Sequence, residues 1–153
     1  MYYAPLGYGG RSQGAVVCTG TTNQKYNHAV SAAGQTHADA MAAANKMAAN
    51  KCHLAPSVLG GLGDQSNAAY CWRKTNVGSG NTMRTFETQA QNLVKAGNVV
   101  EYSGYPIYRG PTSTVPAGFE IDYLAETKNG QYVASNRSYV KNDANGKKPN
   151  LGN

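Results

Sequence analysis

Apolar positions in this chain recur with a helical period in two stretches and with a strand period in its last third. Met83, Phe86, Ala90, Leu93 and Val94 stand at i, i+3, i+7, i+10 and i+11, the spacing of one helix face. Asn81 precedes the stripe as the expected N-cap and Gly97 follows where a helix-ending glycine belongs, so a helix is predicted over 81–96. A second helix is expected over 36–50, which holds seven Ala and two Met, with Met41, Ala44, Met47 and Ala48 in helical register and Thr36 as N-cap.

Strands are expected over 15–18, 99–102 and 105–108. In 119–126, Phe119, Ile121, Tyr123 and Ala125 alternate with Glu120, Asp122, Leu124 and Glu126, as in a half-buried strand. Asn129-Gly130 then predicts a two-residue type I′ turn, with 131–140 as the return strand. Residues 51–80 carry no sustained period and are punctuated by Gly60-Gly61, Gly63 and Gly78-Ser79-Gly80. They read as loop with short extended pieces, and irregular segments of this length are usually functional. The Gly- and Tyr-rich residues 1–14 read as an extended arm, and the polar tail, 141–153, as frayed.

With 153 residues, 41% of them hydrophobic, the chain suits one domain with one core. Residues 1–35 would supply an arm and first strand, 36–140 the core and 141–153 the tail. Fourteen Lys and Arg against eight Asp and Glu leave a net charge of +6, which favours a polyanionic partner without choosing among nucleic acid, anionic lipid and acidic protein. No apolar run approaches the roughly 20 residues of a membrane span. The first residues form neither the basic nor the apolar part of a secretory leader.

Reactive side chains crowd between residues 52 and 87: His53, Asp64, Asn67, Cys71, Arg73, Lys74, Asn76, Arg84 and Glu87. An imidazole takes a proton near neutral pH, amide and carboxylate oxygens suit a hard divalent cation, and guanidinium or ammonium groups hold phosphate. Taken one at a time these residues have plainer explanations. Asn67 and Asn76 read as turn residues, Glu87 as a solvated or core-boundary residue, and Arg73, Lys74 and Arg84 as solubilising charges. His28 and His37 carry no catalytic expectation. Glu120, Asp122 and Glu126 suggest an acidic strand face opposite a basic one.

In order along the chain, however, the residues form a pattern. Cys52-His53-Leu54-Ala55-Pro56 through Gly60-Gly61-Leu62-Gly63-Asp64-Gln65-Ser66-Asn67 resembles the catalytic strand and loop of the DNA/RNA non-specific endonucleases, of the ββα-metal (His-Me finger) superfamily. Arg73-Lys74-Thr75-Asn76 resembles that family's Arg-x-x-Asn element, and Met83-Arg84-Thr85-Phe86-Glu87 its acidic helix. Val99-Val100-Glu101-Tyr102, Pro106-Ile107-Tyr108 and Val115-Pro116-Ala117-Gly118-Phe119 resemble its closing strands. The likeness spans roughly residues 51–125.

The resemblance implies a small α+β fold, with a mixed or antiparallel sheet and a ββα-metal nuclease unit. It implies metal-dependent, sequence-non-specific hydrolysis of DNA, RNA or both, leaving a 5′ phosphate and a 3′ hydroxyl. His53 falls on the general base, Asn76 on the ligand of a Mg²⁺ or Mn²⁺ ion, Asn67 on a supporting amide and Glu87 on an acid that orients water. Arg73, Lys74 and Arg84 would offset phosphate charge.

Two departures stand out. The family's Asp-Arg-Gly-His becomes Asn50-Lys51-Cys52-His53, so the Arg is absent and Lys51, a point charge, stands in its place as a substrate contact. The Gly78-Ser79-Gly80 insertion makes Asn81 a rival to Asn76 for the metal; the spacing from Arg73 and the N-cap role of Asn81 favour Asn76. Cys52 lies beside His53 in a strand, so the two face opposite ways and form neither a thiol dyad nor a zinc site. Pairing of Cys52 with Cys71 is expected instead, which implies an oxidising destination.

A small basic nuclease of this kind also resembles the toxin domains of secreted bacterial polymorphic toxins, which implies secretion or delivery to a target cell and an acidic immunity protein as partner. Two other classes stay open: a nucleic-acid-binding module of the same fold whose altered motif has cost it activity, and a secreted domain whose Tyr-rich surface binds protein.

Overall fold

The computed structural model describes residues 1–22 and 50–143. Among them the strands form two sheets. A five-stranded sheet has the order β1-β2-β5-β6-β7, built from β1 (Tyr2–Tyr3), β2 (Ala15–Thr19), β5 (Val99–Ile107), β6 (Gly118–Glu126) and β7 (Tyr132–Lys141). A ribbon pairs β3 (Asn50–His53) with β4 (Ala68–Cys71). Every pairing is antiparallel, which decides between the mixed and antiparallel sheets expected. Two helices follow the ribbon, α1 (Arg73–Val77) and α2 (Met83–Lys95). The fold is a small α+β one with a ββα arrangement of β3, β4 and helices.

The apolar stripe does what its spacing requires. Met83, Phe86, Ala90 and Val94 are buried on α2 and join Val100, Tyr102, Phe119, Ile121 and Ala125 from the inner face of the large sheet in one core. Alternation along β6 turns Glu120 and Asp122 to the other face, where they meet Arg137 of β7. The acidic strand face therefore lies on the side of the sheet away from the helices, which carry the exposed Arg73, Lys74 and Arg84.

Several expectations change. The helix expected over 36–50 lies outside the described residues except for Asn50, which opens β3. His28 and His37 lie outside them too. Thr82, not Asn81, is the N-cap of α2, and Asn81 donates from Nδ2 to the Tyr139 carbonyl at 2.8 Å. The separate strands over 99–102 and 105–108 are one strand, β5; Pro106 is tolerated there because it lies beyond Gly104, the last β5 residue paired with β2.

The last hairpin is not closed by a two-residue turn. Gly130 N–H donates to the Thr127 carbonyl at 2.9 Å and Thr127 N–H to the Gln131 carbonyl at 2.8 Å, with Gly130 at φ 79°. This is the longer connection in which a turn is followed by a left-handed glycine.

Residues 1–14 are no free arm: they supply β1, and the Arg11 guanidinium lies 4.2 Å from the Tyr108 ring centre while donating to the Gly110 carbonyl at 3.2 Å. The start of the tail is not frayed either, because Lys141 ends β7 and Asn142 is buried. Residues 51–80, read as loop with short extended pieces, hold all of the ribbon except Asn50, together with α1.

Candidate functional site

His53 is the last residue of β3 and pairs with Ala68 across the ribbon. The chain then turns away, and three features hold that turn. Cys52 and Cys71 are joined by a disulfide between the two strands, with Cα atoms 5.9 Å apart, so the predicted pairing is present and leaves Cys18 free and exposed.

Asn67 is fully buried, accepting at Oδ1 from the Ala55 N–H at 2.7 Å and donating from Nδ2 to the Ala55 carbonyl at 2.9 Å and the Leu62 carbonyl at 2.7 Å. The Asn67 backbone carbonyl also accepts from Leu54 N–H at 2.9 Å. Gly104 lets the chain after His53 lie directly on the large sheet, since a Cβ at that position would strike the Leu54 carbonyl. His53 itself is half-buried, with Nε2 screened from solvent.

Asn76 is tied to the same strand. Its Nδ2 donates to Asn50 Oδ1 at 2.9 Å and to the Lys51 carbonyl at 3.1 Å. Both amide hydrogens are thereby used on β3, which leaves Oδ1 as the acceptor of this amide. Asn50, where the resemblance leads one to expect Asp, accepts from Asn76. Lys51, two residues from His53 on the strand, shares its face of β3. Asn81, tied to β7 rather than to the ribbon, has no comparable link to the strand of His53.

Glu87 lies one turn into α2 and is half-buried. Burial pushes its carboxyl from 4.5 up to about 7, and the Arg84 guanidinium three residues earlier on the helix draws it partly back. Its charge in turn adds to the burial that raises the enclosed Tyr102 hydroxyl well above its ordinary value. Arg73, Lys74 and Arg84 are exposed.

One residue of this region has no signal in the sequence. Asn142 is 1% exposed and accepts at Oδ1 from the Trp72 N–H at 2.9 Å, while Nδ2 donates to the Pro116 carbonyl at 2.9 Å and the Tyr70 carbonyl at 3.2 Å. Trp72 is the N-cap of α1 and makes no side-chain cap of its own, so Asn142, just past the end of β7, caps this helix in its place. A polar Asn in a polar tail looks like a surface residue until the fold brings 142 beside 72.

Among the described residues, no group of three or more His, Cys, Asp or Glu side chains converges to hold a metal. With its Nδ2 committed to β3, the Asn76 amide offers one oxygen, which suits a cation that takes one protein oxygen and keeps most of its water.

A family model described as DNA/RNA non-specific endonuclease matches residues 13–127. The chain belongs to that family of nucleases. No curated protein matches this DNA/RNA non-specific endonuclease family member. Solved structures do. An extracellular endonuclease superposes with a TM-score of 0.74 at 15% identity, covering 99% of this chain and 82% of the other. An extracellular nuclease does so with a TM-score of 0.71 at 14% identity, covering 99% and 89%. NucA from Streptococcus agalactiae with a magnesium ion bound gives 0.59 at 16% identity, covering 98% of this chain and 59% of that one. At such identities the likeness is one of fold.

Proposed function

We propose that this chain is a metal-dependent endonuclease that hydrolyses phosphodiester bonds of DNA, RNA or both without sequence specificity. The observation that carries the proposal is the linkage of His53 and Asn76 through one strand: a disulfide and the Asn67 braces hold the first, and Asn50 and Lys51 hold the second. Asn76 Oδ1 would hold a Mg²⁺ or Mn²⁺ ion, which would supply charge stabilisation to the phosphodiester as it breaks.

His53 takes a proton from the attacking water. Asn67 keeps the loop after His53 in place and, with its amide committed to backbone, acts by positioning. Glu87 accepts hydrogen bonds from water once it is ionised. Lys51, Arg73, Lys74 and Arg84 attract and hold the phosphate backbone, whose recognition carries no base information. The products are a 5′ phosphate and a 3′ hydroxyl.

The disulfide fits an oxidising compartment, and two of the similar folds are described as extracellular, so the chain acts after secretion or delivery to a target cell. With a net charge of +6, an acidic inhibitor protein is the partner that would silence it in its producer; an unprotected cell that tolerates the active domain in its own cytosol would count against this.

A second reading rests on one observation. Position 52, glycine in the family's motif, is here a buried half-cystine. If that change has cost activity, the chain is a nucleic-acid-binding module that binds in a salt-sensitive manner without cutting.

The deciding experiment digests plasmid DNA and total RNA with Mg²⁺, with excess EDTA, and with His53→Ala protein shown by circular dichroism to be folded. Cleavage that needs both metal and His53 is expected. Cleavage retained by His53→Ala removes His53 as the base, and a folded wild type inert with every divalent metal favours the binding module.

A further inference from the structure

On the side of α1 away from β3 lies an open cleft of about 310 Å³, bounded by α1, the connection into α2 and the end of β7. The two faces of α1 are distinguished by their hydrogen bonds. Asn76 reaches to β3, whereas the Thr75 hydroxyl donates to the Lys141 carbonyl at 3.1 Å on β7. The cleft thus borders the same short helix as the proposed metal ligand, on its other face, and shares Lys74 with the phosphate-holding set. Its charged groups are Lys74, Lys141 and Asp143, two cations against one acid.

Tyr139 gives the cleft a second chemistry. It is 45% exposed although its ring is held in place: the hydroxyl end lies over Gly118 of the neighbouring strand, where any Cβ would collide with it. Its backbone carbonyl is anchored by Asn81 at 2.8 Å. An aromatic ring supported from one side and open on the other is a stacking surface whose ordering cost is met by the fold. Tyr139 and Lys141 are two residues apart on one face of β7, about 7 Å along the strand, the scale of one nucleotide. Arg137, the next outward cation, is committed to Glu120 and Asp122.

We infer that this cleft is a second nucleic-acid subsite for a single-stranded stretch flanking the scissile bond, with Tyr139 stacking one base and Lys141 and Lys74 holding adjoining phosphates. The inference rests on the nuclease reading and deepens it. A base stacked on Tyr139 must be unpaired, so the subsite selects single-stranded or locally melted substrate while ignoring base identity.

The test is fluorescence anisotropy in EDTA, where nothing is cut, with a labelled oligothymidylate of about twelve nucleotides and an abasic oligomer of equal phosphate number. Tyr139→Leu is expected to weaken oligothymidylate binding at least about fivefold and to leave abasic binding unchanged. Tyr139→Phe, which keeps the ring, should restore affinity, and Lys141→Gln should weaken both ligands. Unchanged oligothymidylate affinity in Tyr139→Leu, or equal loss on the abasic oligomer, overturns the subsite. If Tyr139→Leu does not fold, Lys141→Gln decides: loss on both ligands supports the inference and unchanged binding overturns it.

Hydrolysis of bis(p-nitrophenyl) phosphate with Mg²⁺ separates the two readings, because so small a diester cannot reach the cleft. Equal rates in wild type, Tyr139→Phe and Lys141→Gln are expected. A wild type that fails to hydrolyse it argues against the nuclease, while the anisotropy result still decides the subsite; slower hydrolysis in Lys141→Gln argues against a subsite separate from the reacting centre.

Discussion

Replacing Glu87 with Gln should make the protein more stable and less active, and the gain should grow with pH. The carboxyl is pushed from 4.5 up to about 7 by burial on α2, so the folded chain holds a proton that the unfolded chain has already released between those two values. Stability therefore falls as pH rises through that window and levels off above it. Ionising Glu87 in the fold costs at most about 3 kcal/mol more than in the unfolded chain, and its partial contact with solvent reduces this to about 2 kcal/mol.

Gln keeps the shape, cannot ionise and escapes this cost. Urea unfolding of both proteins in EDTA, from pH 4.5 to pH 8, measures it, and subtracting one curve from the other cancels every other titration. Glu87→Gln should match the wild type at the acid end and exceed it by about 2 kcal/mol at pH 8. A difference that does not change with pH would refute the burial argument. Activity should move the other way, since the amide cannot replace an ionised acceptor for water, and cleavage by the wild type should climb as pH passes 7.

Other expectations follow from single contacts. The disulfide closes a loop with a sequence separation of 19, so changing Cys52 and Cys71 together to Ala should lower the unfolding free energy by about 3 kcal/mol, read by urea titration. The oxidised native protein should react with a thiol reagent at Cys18 alone; three reactive thiols would refute the pairing. Asn142→Ala strands the Trp72 N–H and the Tyr70 and Pro116 carbonyls in a buried setting and should cost about 3 kcal/mol or more in thermal or urea unfolding; a loss below about 1 kcal/mol would show that α1 does not depend on this cap.

Periodicity carried what depends on one face of one element. The stripe from Met83 to Val94 and the alternation from Phe119 to Ala125 state which side is apolar, and burial of that side is the main favourable term in folding, so both elements formed as read. The candidate residues His53, Asn67, Asn76 and Glu87 were picked out by an order along the chain that resembles a family pattern, and the disulfide of Cys52 with Cys71 was the expectation that remained once strand geometry had set aside a dyad or zinc site with His53.

Tertiary structure decided what local sequence leaves degenerate. Asn81 satisfies every local rule for an N-cap, yet β7 offers its amide a carbonyl and Thr82 takes the cap. Asn129-Gly130 suits a two-residue turn, but the register at Glu126 and Tyr132 calls for a longer one. Asn50, Asn67, Asn76 and Asn142 are the same residue to any propensity scale. One accepts from its neighbour across to α1, one braces a loop, one ties α1 to β3 and one caps a helix 70 residues away. A side-chain amide can donate and accept in any setting, so its role is set by the groups that the completed fold brings within hydrogen-bonding reach.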